Sequence, residues 1–220
     1  MSISGEKVYV DLIISVEYDR DLAIQNMQKY NVMENATREF EIVKAKTEAE
    51  ARYLEIKGKD IDIYQTILSY ILFDNPVKSN SNLAYKVYEQ PDLWKYGISG
   101  DLPIITVTIK YINDIYVVKQ ILKAYEFFRT NNIKVELVII NEENYSYENY
   151  IRDEIESAIL NSHQAFLKNI NGGIFVLSKS EMDIQDVNLI KFLSVLVIDS
   201  HLGNLENVIK DMEDEVLENY

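Results

Sequence analysis

The sequence predicts an α/β protein: a three-layer, mostly parallel sheet with flanking helices, preceded by an N-terminal strand and a helical segment. Two observations carry this. Short continuous apolar runs, rich in β-branched residues, occur at Pro103–Ile109, Val135–Ile140 and Ile174–Leu177, as in strands buried on both faces. Each is followed by a stretch with apolar residues at helical spacing. The order β-α-β-α-β-α implies right-handed crossovers. The expected division is 1–76 for the strand and helical segment, 77–95 for a linker and 96–220 for the α/β domain.

The elements follow in chain order. Over Lys7–Tyr18, Val8, Val10, Leu12, Ile14 and Val16 alternate with Tyr9, Asp11, Ile13, Ser15 and Glu17, which is a strand period. A lone strand cannot satisfy its own backbone. It must pair with the later sheet or with a partner outside these 220 residues. Asp19 or Asp21 caps a helix carrying Leu22, Ile24, Met27 and Tyr30. A second helix runs from about Glu34 through Arg52, with Phe40, Val43, Thr47 and Ala51 on its apolar face, and Gly58 ends it. Asp60 or Asp62 starts a third, carrying Ile63, Ile67, Tyr70 and Ile71, and Asn75-Pro76 stops it. Turns this short make a helical hairpin or small bundle. Lys78-Ser-Asn-Ser-Asn82 and Pro91 mark the linker.

Beyond the linker, a helix over 114–130 turns Val117, Val118, Ile121, Leu122, Tyr125 and Phe128 inward, and Asn131-Asn132 reverses the chain. Tyr147–Phe166 reads as a helix on Tyr150, Ile151, Ile155, Ile159 and Phe166. Gly172-Gly173 leads into the third strand, and a last helix covers about 184–199.

Composition narrows the function classes. Hydrophobic residues at 47% and charged residues at 26% are those of a folded globular chain. No apolar run reaches the roughly 18–20 residues of a membrane span, and no basic-then-apolar leader opens the sequence. Cysteine is absent, which removes disulfides, thiolate metal sites and cysteine nucleophiles. The only histidines are His163 and His201, so no metal site and no cofactor are expected. A net charge of −14 repels phosphate backbones and anionic lipid, so neither nucleic acid nor membrane is an expected partner of this segment. The acidic clusters, at Asn141–Glu156 and in the tail from Glu206, lack the spacing and central glycine of a calcium loop.

Two stretches could bind a ligand. In Trp94-Lys-Tyr-Gly-Ile-Ser-Gly-Asp-Leu-Pro103 the glycines permit positive φ, and Ser99 and Asp101 can bond local backbone. Trp94 and Tyr96 offer a sugar-stacking surface, but aromatics more often serve as packing area, here between linker and sheet. The string is no phosphate loop, because it precedes its strand. The second stretch is the carboxyl end of the middle strand, where α/β sheets bind ligands. Asn141 and Glu142 are the candidates there, against the plainer reading of an exposed loop with a Ser146 helix cap. No G-x-S-x-G occurs, and no nucleophile, base and oxyanion hole assemble, so no catalytic residue is assigned.

Leu93-Trp-Lys-Tyr-Gly-Ile-Ser-Gly-Asp-Leu-Pro-Ile104 resembles a segment of the cyclic β-1,2-glucan synthases and related large glucan phosphorylases. These form the group called glycosyltransferase family 36, now glycoside hydrolase family 94. The likeness continues through Gln120–Arg129, Val135–Glu142, Ser146-Tyr147 and Gly172–Phe175. It implies a helical linker and α/β insert ahead of an α/α-barrel that holds the catalytic acid, with strand 7–18 closing a preceding β-sandwich. No position here matches the catalytic acid or the phosphate site. The implied role is a non-catalytic piece of a longer chain, with the rest of the parent enzyme, and β-glucan, as partners. A cytoplasmic location is implied, the parent being membrane-attached if it is a synthase. A glucan-binding module and a stand-alone small-molecule-binding protein are the alternatives.

Overall fold

β-Branched side chains pack well on a pleated surface and are crowded in a helix. In the computed structural model, which describes residues 12–73, 91–143 and 150–218, they build β1 (Ile104–Ile109), β2 (Glu136–Asn141), β3 (Ile174–Ser178) and β4 (Leu196–Asp199). The four strands form one parallel sheet in the order β3-β2-β1-β4. Every residue of β1 and β2 is buried, the polar Thr106, Thr108, Glu136 and Asn141 among them, as in strands covered on both faces. The α/β class is as expected.

Ahead of the sheet lie α1 (Arg20–Tyr30), α2 (Met33–Tyr53), α3 (Gly58–Leu72) and the single turn α4 (Pro91–Trp94). Between and after the strands come α5 (Ile115–Thr130), α6 (Tyr150–Leu160), α7 (Ile184–Leu193) and α8 (Leu205–Glu218). The chain divides into two compact units, Met1–Arg52 and Tyr53–Tyr220.

In the second unit, α7 covers one face of the sheet. Val187, Leu189 and Ile190 pack with Leu93 and Ile98 on Ile104, Val138, Ile140 and Phe175. Leu93 of α4, in the expected linker, is thus part of this core, whereas 77–90 lies outside the described residues. α5 buries all six residues expected to face inward. α8 packs on β4 and α5, and α3 packs on α8 and β4. Tyr64 of α3 sets its ring 5.6 Å from Phe127 and 6.4 Å from Phe128.

Four expectations are corrected. The helix at 184–199 is α7 plus a fourth strand: Ser194 closes α7, and Val195 N–H donates to Ile104 O at 2.8 Å, starting the β1–β4 ladder. Gly58 opens α3 instead of ending α2, because Asp60 accepts the Lys57 N–H at 2.9 Å and caps the helix there. The helix expected to reach Phe166 ends at Leu160. Ser162 Oγ donates to Ile159 O and accepts from Gln164 N–H, and this local bonding turns the chain, so Phe166 leaves the helix and is exposed; Tyr150, at the start of α6, is exposed as well. The expected first strand has no ladder over residues 12–17, and Lys7–Asp11 lies outside the described residues, as do Asn75-Pro76 and Ser146-Tyr147.

In the first unit Asp19 caps α1 by accepting Asp21 N–H at 3.3 Å, and Lys29 pairs with Glu39 of α2 at 3.0 Å. The apolar stripes stay open: Leu22, Met27, Phe40 and Val43 are exposed. Leu12, Ile14 and Val16 are 82%, 78% and 87% exposed.

Candidate functional site

A strand begins where the preceding loop can hand it a backbone, and here three loops meet at the amino ends of β1, β2 and β3. Glu136, the first residue of β2, is fully buried. Its Oε1 accepts the N–H groups of Ser99 (3.0 Å) and Gly172 (3.2 Å), and its Oε2 accepts that of Gly100 (3.1 Å). Burying a carboxyl group is costly unless donors replace its water. Three backbone donors do so, with the strength of bonds to an acidic group. Gly172 takes φ +71° to present its N–H, and a Cβ on Gly173 would lie 1.9 Å from Leu167 O. Tyr125 donates to Gly172 O at 3.0 Å, and burial pushes its hydroxyl up to about 12. The two glycine motifs of the sequence therefore converge on one acid that the sequence reading passed over. Its signal was a lone Glu opening an apolar strand.

Four of the candidate residues lie on the loop entering β1, which meets this amino edge at Ser99 and Gly100. Trp94 is 60% exposed, and its Nε1 donates to Ser99 O at 3.3 Å. Tyr96 donates its hydroxyl to Asp186 of α7 at 2.6 Å; burial first, then that bond, raises its pKa. Lys95 pairs with the same Asp186 at 2.7 Å. Ser99 Oγ accepts the Asp101 N–H at 3.1 Å, making the expected local turn.

The other two stand at the carboxyl edge. Asn141 ends β2, is buried, and accepts Glu143 N–H at 2.9 Å. Glu142 Oε1 accepts from Lys179 at 3.1 Å and Lys191 at 3.4 Å. Burial alone would raise the Glu142 pKa, but the two ammonium groups outweigh it and lower it. A strand rises about 3.3 Å per residue, so the two edges lie on the order of 17 Å apart. The structure does not bring the six candidates into one site.

The strand order reverses between β1 and β4, the place where doubly wound sheets open a crevice. Tyr111 follows β1 and His201 follows β4, with rings 5.4 Å apart. Asp114 Oδ2 and Ser200 Oγ are buried there without a hydrogen-bond partner. Asp114 and Ser200 carry no signal in the sequence, because β4, which sets this place, is not legible there. Asp199, the last residue of β4, accepts His201 N–H at 3.0 Å and caps a single 3-10 turn over Ser200–Leu202 that holds His201. Among the described residues, no three His, Asp or Glu side chains are grouped to hold a metal ion.

The fold and its edges define a doubly wound parallel α/β domain whose loops meet Glu136 at the amino end of the sheet. No family model matches the sequence. The chain is similar to the cyclic beta-(1,2)-glucan synthase NdvB of Rhizobium meliloti (strain 1021), 24% identical over 156 residues. The match covers 70% of this chain and 6% of that much longer relative. The chain is thus related to a segment of a carbohydrate-active enzyme. No described helix is long and apolar enough to cross a membrane.

Proposed function

We propose that this chain is a non-catalytic structural segment of a large glucan-processing enzyme, bracing neighbouring domains against each other. The uncovered row Leu12, Ile14 and Val16, beside the exposed Phe40 and Val43 of α2, carries the reading. Contiguous apolar surface of this kind belongs at an interface. The remaining domains of the parent enzyme are its partners. At the amino edge the Glu136 carboxyl is occupied by backbone donors, which suits a brace. The resemblance to family 36 glycosyltransferases and family 94 phosphorylases, and the similarity to a glucan synthase, support a parent of that kind. Incubated with phosphate and either β-1,2-glucan or cellobiose, the isolated chain releases no glucose 1-phosphate. Release of that product overturns the reading.

A second reading is favoured by the exposed Trp94 ring: a glucan-binding surface at the amino edge. Trp94 fluorescence that saturates with β-1,2-glucooligosaccharides would support it.

A further inference from the structure

The side of the sheet carrying α5 holds a groove that none of these roles uses. It lies between α5, α6 and the turn joining α2 to α3, and encloses about 480 Å3, within the roughly 300–1,000 Å3 of small-ligand sites. At its base is Glu126, in the C-terminal half of α5 and only 4% exposed. Its Oε1 accepts the His163 N–H at 2.7 Å and stands 3.5 Å from His163 Nδ1. The imidazole is thereby held at backbone and ring, while 53% of the side chain stays exposed. Tyr53 sets its largely exposed ring 5.2 Å from that imidazole. Asn161 adds an amide and Leu122 an apolar floor.

The lining selects a ligand class. Its acids, Glu55 and Glu126, balance its lysines, Lys119 and Lys123. Lys123 already donates to Leu54 O at 3.4 Å, and Lys119 lies 4.0 Å from Glu154. An anion would meet two carboxyl groups with the cations already engaged. A purely apolar ligand would cover the half-exposed imidazole and the Asn161 amide, whose bond to Ser157 Oγ is long at 3.4 Å, without replacing their water. A neutral sugar has apolar ring faces and hydroxyl edges that both donate and accept, and matches an aromatic face beside an amide and an imidazole. We propose that this groove binds a neutral oligosaccharide. Tyr53 is the platform for a sugar ring, and Asn161 and the Glu126-held His163 bond its hydroxyls. The choice of glucose as that sugar rests on the proposed parent enzyme.

The test is a titration of the 220-residue chain with β-1,2-linked glucooligosaccharides of about three to six units, up to about 10 mM, following backbone amide resonances. Saturable shifts at Asn161 and His163 are expected. His163→Ala and Tyr53→Ala each weaken binding about tenfold, whereas Tyr53→Phe retains it. Tyr53 lies at a helix end with its ring exposed, so its variants keep the fold even where loss of His163 disturbs it. No saturable shift overturns the groove, as does binding that moves Trp94 and is unchanged in Tyr53→Ala. Either failure leaves the phosphorolysis assay to decide the structural reading separately.

Discussion

Glu136 is the residue on which the amino edge depends. Glu136→Gln swaps one acceptor oxygen for a donor NH2, so at least one of the three N–H groups of Ser99, Gly100 and Gly172 loses its partner. A buried unsatisfied donor costs about 1–3 kcal/mol, and urea unfolding should show a loss of that size with m unchanged. Two serines in the same body separate satisfied from unsatisfied hydroxyls. Ser194 Oγ lies 2.6 Å from Thr106 Oγ and donates to Ile190 O at 2.7 Å, whereas Ser200 Oγ is buried with no partner. Ser194→Ala should cost about 1–3 kcal/mol by leaving Thr106 alone, and Ser200→Ala should be neutral or stabilising. Equal losses in the two variants, read by thermal unfolding, would contradict these bonding assignments.

Elements are tied by charge at the other end of the sheet. Glu142 at the end of β2 joins Lys179, which follows β3, to Lys191 on α7. Its folded pKa lies below the ordinary 4.5 because the two lysines overcome burial. A depressed carboxyl pKa contributes stability that is present above the unfolded pKa and fades as pH falls through the folded one. Glu142→Gln should therefore cost about 0.5–1 kcal/mol near pH 7, the lysines being partly in solvent. The difference from the parent should vanish in acid below the folded value, and denaturant midpoints across pH would measure it. A gap that persists in acid would point to packing and not charge. At this scale α5 was legible in full, since Val117, Val118, Ile121, Leu122, Tyr125 and Phe128 repeat at helical spacing and all are buried. β4 was not. Its four residues follow α7 with only two between, and the apolar residues of Leu193–Ile198 fit either period.

For the whole molecule, the α/β class was readable because β1 and β2 are short, rich in β-branched residues and buried at every residue. The split of the chain was harder to read. α3 precedes the expected linker, yet packs on α8 and β4. The pairing responsible lies between distant parts of the chain, and no local pattern announces it. The candidate site divided in the same way. Trp94, Tyr96, Ser99 and Asp101 were found together because they are adjacent in sequence. Their separation from Asn141 and Glu142 follows only from strand direction, which sends one group to the amino edge and the other to the carboxyl edge.

Local periodicity and β-branched composition by themselves determined which segments became three of the strands and most of the helices, because backbone preference and the burial of one face act over a few residues. The tertiary structure alone decided that the sheet has a fourth strand, that Glu136 gathers both glycine motifs, and that Glu126 and His163 share a groove. Each of these joins residues at least 36 apart in sequence, as in Gly100 to Glu136, and only the packed chain supplies such neighbours.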